Sequence, residues 1–231
     1  MRTDIDAVFT DFGGVLLHLD FERCFDAFHR LGAETPKEIL FKSSEFVRLM
    51  RNLETGQIDD DDFFNGLRDL LHIRADNTQM RSAWNTIIGT IPEYKLKVIR
   101  EIRRHHRLYM VSNTNAPHFD YTRAELEQAV RAANIANPDA IDNNALELMK
   151  TGILTVDDYF DKLYLSHEIH AVKPEEEFYL KILNDSGENP SRSIFLDDLP
   201  ANIQGAEKAG FKAYLIDPEE DLRKKITEIL A

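Results

Sequence analysis

The sequence has few of the features that mark secreted, membrane-bound or nucleic-acid-binding proteins. Its 231 residues include one cysteine, Cys24, which excludes an internal disulfide and favours a reducing compartment. It has 28 basic against 41 acidic residues, and this excess of acid disfavours nucleic acid as a partner. No apolar run approaches the roughly 20 residues of a membrane span, and the N-terminus does not read as a signal peptide. The composition therefore predicts a cytoplasmic protein that does not enter a membrane.

Short apolar segments along the chain predict the buried strands of a parallel sheet. Each is rich in branched or aromatic side chains and is bounded by polar or turn residues. Helical patterns or long connections separate the later ones, which is typical of an α/β fold with helices on both faces of the sheet. We therefore predict a doubly wound parallel sheet. The predicted strands are residues 7–12, 108–113, 162–166, 193–198 and 212–216.

A long helical segment interrupts this alternation. Residues 19–93 show helical spacing and no convincing strand, so we predict a helical cap there. The α/β core then comprises residues 1–18 and 94–231. A further insertion is expected at about 117–157, and a connection of this length usually carries a function or forms a lid. The role of that insertion and the oligomeric state are left open.

Chemically reactive side chains lie where several predicted strands end. Ligands of parallel α/β sheets bind at the carboxyl ends of the strands, so we expect these side chains to share one crevice. Paired carboxylates suit Mg²⁺, a hard cation that takes oxygen ligands, and a lysine suits an anion such as a phosphate. The candidate residues are Asp11, Ser112, Asn113, Lys173, Asp197 and Asp198.

Four motifs occur in an order that resembles the haloacid dehalogenase superfamily. They are "DFGGV" (11–15), "LYMVSNTN" (108–115), "KPE" (173–175) and "FLDDLPANI" (195–203). The helical segment after the first motif is similar to the cap of one subfamily. The residues at the first two motifs are most similar to the branch that includes bacterial α-D-glucose-1-phosphatase. The resemblance covers nearly the whole chain and implies a phosphatase of that superfamily.

The resemblance implies a nucleophile and a metal site at the first and fourth motifs. Asp11 would attack phosphorus and form an aspartyl-phosphate, a known use of a carboxylate nucleophile. Asp11, the backbone carbonyl of Gly13 and Asp198 would hold Mg²⁺. Asp197 would act from behind these ligands or through a water.

The resemblance also implies a phosphate-binding set. Ser112 and the backbone at Asn113 would hold phosphate oxygens, and Lys173 would neutralise Asp11 and the transferring group. Arg23 lies in the segment that leads into the cap. For Arg23 a substrate contact and a structural role remain equally open.

Position 13 departs from the usual pattern of superfamily phosphatases, which carry a second acid two residues after the nucleophile. Such a general acid–base group contributes about 10²–10⁴-fold, and Gly13 cannot supply it. Members of the branch that this chain resembles work without the second acid. We therefore expect a Mg²⁺-dependent phosphatase of a small phosphorylated metabolite, with a sugar phosphate favoured because an anomeric oxygen leaves readily.

Two alternatives remain beside this hypothesis. The first is a catalytically weak or inactive phosphate-binding or regulatory protein of the same fold, because fold alone does not imply function. The second is a metal-independent 2-haloacid dehalogenase. Those enzymes also lack the second acid, but they do not need the acid pair Asp197-Asp198 that this chain retains.

Overall fold

The structure is a computed structural model, and it describes residues 2–124 and 156–231. In these residues five parallel strands form one sheet with the order β3-β2-β1-β4-β5. The chain builds outward from β1 in one direction and then returns to build outward in the other, which confirms the predicted doubly wound sheet. The strands are β1 (Ala7–Thr10), β2 (Arg107–Ser112), β3 (Lys162–Leu165), β4 (Ser193–Asp197) and β5 (Lys212–Leu215).

The apolar runs of the strands are explained by burial on both faces of the sheet. All four residues of β1 are buried, and its alternate side chains enter two different apolar clusters. Phe9 stacks on Tyr109 on one face, while Val8 packs into the other cluster. Helices cover both faces: α6 (Glu93–Arg103), α7 (116–124), α8 (Ser166–Ile169), α9 (Glu176–Ser186), α10 (Pro200–Lys208) and α11 (Leu222–Leu230), with short 3₁₀ turns at Val156–Tyr159 and Pro190–Arg192.

The segment predicted as the cap contains helices and no strand. Its two ends leave the sheet side by side, because Leu19 and Ile88 pair as an antiparallel bridge and the Gly89 amide donates to the His18 carbonyl at 2.9 Å. Asp20 caps the first helix by accepting a hydrogen bond from the Arg23 amide. The helices are α1 (Phe21–Arg30), α2 (Lys37–Leu40), α3 (Ser44–Glu54), α4 (Asp60–Leu71) and α5 (Asn77–Asn85).

The division into core and cap stays a prediction, as does the insertion at 117–157, most of which lies outside the described residues. Across the described parts of the chain, no helix combines the length and apolar character needed to cross a bilayer. Cys24 is buried and unpaired in α1. The cytoplasmic location likewise stays a prediction.

Candidate active site

The strand ends and the helices of residues 19–93 enclose a cavity of about 460 Å³. It lies at the carboxyl edge of the sheet, beside β1 and β4, where the strand order reverses and where doubly wound folds bind their ligands. Asp11, Gly13, Ser112, Asn113, Lys173 and Asp198 line its floor. The structure therefore brings these predicted residues together.

The turn after β1 places two acids against each other. The Asp11 amide donates to the Leu196 carbonyl at 2.8 Å, which continues the β1–β4 pairing to the end of the strand. Gly14 then adopts a φ of +79°, and a Cβ on it would lie 2.2 Å from Oδ2 of Asp198. Only glycine meets both requirements, since other residues rarely take a positive φ and would displace the carboxylate. Gly14 thus allows the Asp198 carboxylate to approach the turn that carries Asp11.

Three carboxylates form a cluster at this edge. One oxygen from each of Asp11, Asp197 and Asp198 lies within 4.8 Å of the others. Burial, with the neighbouring Asp197 carboxylate, raises the pKa of Asp198 above its usual range. Carboxylates crowded in this way repel one another, and a divalent cation relieves that repulsion. The all-oxygen donor set fits Mg²⁺, which binds through one or two carboxylates and keeps several waters.

Both oxygens of the Asp197 carboxylate accept hydrogen bonds from other residues of the protein. Its Oδ1 accepts hydrogen bonds from the Leu199 amide and the Asn202 side chain, both at 2.9 Å, and its Oδ2 accepts from Lys173 at 2.7 Å. The residue is fully buried. Asp197 therefore orients Lys173 and the start of α10, whereas Asp11 and Asp198 face the cavity.

Lys173 is the buried cation of the site. Its side chain is 1 % exposed, and Nζ contacts Asp11 Oδ1 at 2.9 Å as well as Asp197. Nζ also donates to the Val111 carbonyl at 3.0 Å. Burial favours loss of its proton, but the two carboxylates outweigh burial and raise the pKa of Lys173, so the ammonium stays charged. For Asp11 the directions are reversed: burial raises the pKa of its carboxyl, and Lys173 opposes that shift.

Asn113 and Ser112 complete the floor at the end of β2. The Asn113 side chain pairs with the Lys173 backbone through two hydrogen bonds of 2.9 Å, one donated and one accepted, which fixes the lysine loop against β2. Ser112 is buried, and its hydroxyl has no hydrogen-bond partner within residues 2–124 and 156–231. That hydroxyl is available to a ligand in the cavity.

Arg23 is not brought to the cavity. Its guanidinium donates to the backbone carbonyls of Thr86 and Ile88, so it joins α1 to the segment that returns from the cap. Among the residues that the structure describes, Arg23 does not line the cavity. Of the two roles that the sequence leaves open for Arg23, the structure thus favours the structural one over a substrate contact.

The Leu19 side chain packs closely against Gly13. A Cβ at this position would lie 3.0 Å from Cδ1 of Leu19, so the tip of Leu19 would have to shift by a few tenths of an ångström. Leu19 therefore packs closely against the position where a side chain at residue 13 would begin.

The side of the cavity formed by residues 19–93 is mainly apolar, and these lining residues were not predicted from the sequence. Helix α1 contributes an apolar stripe, α3 contributes Phe46 and Met50, and α5 contributes Trp84. His118 of α7 stacks on Trp84 with ring centroids 4.7 Å apart, and burial lowers its pKa to about 4. The lining also includes one cap carboxylate, Glu54, at the end of α3. The α1 stripe consists of Phe21, Cys24, Phe25 and Phe28.

The signal for Glu54 is present in the sequence. Residues 46, 50 and 54 recur every four positions and so lie on one face of α3. An acid at the end of an otherwise apolar stripe marks a face that meets a polar site as well as a core.

Comparison with known proteins gives concordant matches. Residues 5–210 match the family described as haloacid dehalogenase-like hydrolases. The chain is 27 % identical over 220 residues to a D-ribitol-5-phosphate phosphatase from Bacteroides thetaiotaomicron, covering 95 % of this chain and 96 % of that protein.

Solved structures show the same architecture. A haloacid dehalogenase family enzyme from Bacteroides thetaiotaomicron, solved with magnesium and inorganic phosphate, has a TM-score of 0.78 and 28 % identity. The match covers 96 % of this chain and 98 % of that one. A hydrolase of this family from Porphyromonas gingivalis has a TM-score of 0.77 and 28 % identity, covering 99 % and 98 % of the two chains.

Proposed function

Because the chain belongs to the haloacid dehalogenase-like hydrolase family, we propose that it is a Mg²⁺-dependent phosphatase of a small phosphorylated metabolite. The observation that carries this proposal is the buried contact between Lys173 and Asp11 at the floor of the cavity. A carboxylate that faces a ligand cavity while a permanent cation lies behind it is equipped to attack phosphorus and to tolerate the incoming negative charge.

In this reaction Asp11 attacks the phosphorus atom and the bond to the leaving oxygen breaks, which forms an aspartyl-phosphate. Water then attacks the same phosphorus atom, releases inorganic phosphate and restores the carboxylate. Lys173 neutralises charge on Asp11 and on the transferring oxygens. The Ser112 hydroxyl and the backbone at Asn113 hold those oxygens in place. Catalysis of phosphoryl transfer consists chiefly of such positioning and neutralisation.

The metal ligands in this proposal are Asp11, the Gly13 carbonyl and Asp198. Asp197 supports them from behind, through its hydrogen bonds to Lys173 and Asn202. When bound, Mg²⁺ would supply positive charge that offsets the negative charge of the phosphate oxygens. The apolar helices that cover the cavity exclude water from the reacting groups.

A sugar or polyol phosphate is the favoured substrate class. The relative from Bacteroides thetaiotaomicron is a D-ribitol-5-phosphate phosphatase and matches almost the full length of this chain. A cavity of about 460 Å³ is sufficient for a phosphorylated metabolite of that size. The partners in this proposal are therefore small phosphorylated molecules.

A phosphate-release assay tests the proposal. The purified protein is incubated with Mg²⁺ and a panel of sugar phosphates, polyol phosphates and p-nitrophenyl phosphate, beside Asp11→Asn and the exposed control Asp69→Asn. We expect release by the wild type and by Asp69→Asn, loss with Asp11→Asn, and loss when EDTA removes the metal. Silence across the whole panel would support the inactive binding protein, and halide release from a 2-haloacid without metal would support the dehalogenase.

A further inference from the structure

The chemistry proposed for this site lacks a proton donor for the leaving oxygen. Gly13 has no side chain, and Leu19 occupies part of the space beside it. The nucleophile approaches from the sheet side, so an in-line displacement expels the leaving oxygen on the opposite side, toward the cap. A donor that serves this oxygen must therefore come from the roof of the cavity.

Most titratable side chains of the cavity are already engaged. Lys173 is held between two carboxylates, and both Asp11 and Asp198 belong to the nucleophile and metal set. His118 has both ring nitrogens within hydrogen-bond distance of protein atoms, at 3.2 and 3.3 Å. Burial raises the pKa of the Cys24 thiol to about 12, too high for efficient proton exchange at neutral pH. The titratable lining residues are Asp11, Cys24, Glu54, His118, Lys173 and Asp198.

Glu54 differs from the other titratable residues of the cavity because no other residue that the structure describes binds its carboxyl group. Within the described parts of the chain it forms neither a hydrogen bond nor an ion pair, although it is half-buried and faces the cavity. Burial raises its pKa to about 7, and Arg51 and Lys173 oppose that shift only in part. A carboxyl in this range can give a proton at neutral pH and take one back.

The end of α3 is also fixed against the core, which gives Glu54 a defined position. Arg51 forms a two-pronged ion pair with Glu175, and one of its contacts is 3.0 Å. The His170 ring lies 2.8 Å from the Thr55 carbonyl. Gly56 has a φ of +66°, and a Cβ on it would lie 2.4 Å from the His167 carbonyl. These contacts hold the last turn of α3 against the loop that carries Lys173.

From this geometry we propose that Glu54 of the cap supplies the general acid and base that position 13 lacks. This inference rests on the proposed phosphatase function. As Asp11 bonds to phosphorus, the phosphorus–oxygen bond breaks and Glu54 passes its proton to the leaving oxygen, which departs as an alcohol. Glu54 then takes a proton from the water that attacks the aspartyl-phosphate. Inorganic phosphate is released, and both carboxyl groups return to their starting states.

Glu54→Gln tests this role because it keeps the shape of the side chain and removes the transferable proton. Two substrates separate the effects: p-nitrophenyl phosphate, whose phenolate leaves without a proton, and D-ribitol 5-phosphate, whose alkoxide needs one. If the panel identifies another alkyl phosphate as a better substrate, that ester replaces D-ribitol 5-phosphate in this comparison. Glu45→Gln, at the exposed start of the same helix, is the matched control.

We expect Glu54→Gln to lower kcat/KM for the alkyl phosphate by about 10²–10⁴-fold. Its kcat/KM for p-nitrophenyl phosphate stays within about threefold of wild type. This ratio reports only the steps up to the first irreversible one, which is the departure of the phenolate, and that departure needs no proton. The variant also gives a burst of p-nitrophenolate and then a slower steady rate, as the aspartyl-phosphate accumulates. Activity toward p-nitrophenyl phosphate shows that the variant is folded.

Two results would overturn the role of Glu54 while leaving the phosphatase intact. One is an equal loss on both substrates, which would indicate a structural effect. The other is no loss on the alkyl phosphate. A wild-type protein that hydrolyses neither ester would instead overturn the proposed function, and the role of Glu54 with it.

Discussion

Replacing Lys173 with methionine tests the electrostatic account of the site by removing a charge while nearly keeping the volume. The Lys173 and Asp197 side chains are 1 % and 0 % exposed, so solvent cannot replace the lost cation. Breaking a buried charge pair by removing one partner costs about 3–5 kcal/mol, because the remaining charge is left uncompensated. We expect a loss of unfolding free energy of that size in metal-free protein at neutral pH.

The corresponding change in melting temperature follows from the length of the chain. Unfolding entropies near 2 cal/mol/K per residue give about 0.5 kcal/mol/K for 231 residues, so Tm falls by about 6–10 °C. Thermal unfolding followed by circular dichroism in EDTA measures this shift. Lys97→Met is the matched control, because Lys97 pairs with Glu93 on an exposed helix surface and such a pair contributes about 0.5 kcal/mol or less.

Two measurements on Lys173→Met, its Tm shift and the effect of Mg²⁺ on its Tm, can each contradict this account. A Tm shift as small as that of Lys97→Met would refute the view that Lys173 holds two buried carboxylates together. We also expect Mg²⁺ to raise the Tm of the variant more than that of the wild type, because a divalent cation at Asp11 and Asp198 restores part of the missing positive charge. An equal Mg²⁺ effect in both proteins would place the cation elsewhere.

Three further predictions follow from single contacts. Gly14→Ala pushes a Cβ onto the Asp198 carboxylate and should lower activity by at least about 10²-fold at fixed Mg²⁺. Gly187→Ala has a similar positive φ but open space, so it should cost only about 1–2 kcal/mol of stability and leave activity unchanged; equal activity losses in the two variants would contradict the carboxylate argument. His118 has a folded pKa of about 4, below the unfolded value, so the stability it contributes is present above about pH 6.5 and is lost as pH falls toward 4. Denaturant titrations should show wild type losing about 2 kcal/mol more than His118→Asn between about pH 7.5 and 5, and parallel pH curves would contradict the buried neutral imidazole. Arg23→Ala removes hydrogen bonds to two carbonyls and should lower stability by about 1–3 kcal/mol with KM changed less than about twofold; a large rise in KM without a stability loss would instead make Arg23 a substrate contact.

The floor of the site could be predicted because parallel strands bring their carboxyl ends to one edge. Asp11 and Asp198 lie far apart in the sequence, yet β1 and β4 are neighbours in register, with Thr10 opposite Leu196. The rule that ligands bind at the carboxyl ends of parallel strands is therefore sufficient to predict that the two acids lie together. It also identified Ser112, which ends β2, and Lys173, which lies in the loop after β3 and α8.

The roof of the cavity could not be predicted in the same way. Which face of a cap helix meets the site depends on how that helix docks, and docking is set by distant contacts such as Arg51 with Glu175. The apolar stripe of α3 indicated a buried face but not that Glu54 would meet Lys173 across a cavity. Arg23 was ambiguous for a related reason, since its partners are backbone carbonyls of Thr86 and Ile88, which have no side-chain pattern.

The most direct test of the account is detection of the aspartyl-phosphate. The Glu54→Gln protein is mixed with p-nitrophenyl phosphate and Mg²⁺, quenched in acid within the burst, and digested for mass spectrometry. The account predicts that the peptide containing Asp11 gains the mass of one phosphoryl group, and that the gain is absent when Asp11 is also replaced by asparagine. Phosphate release by the wild type with no phosphoryl group on Asp11 in either protein would contradict the account.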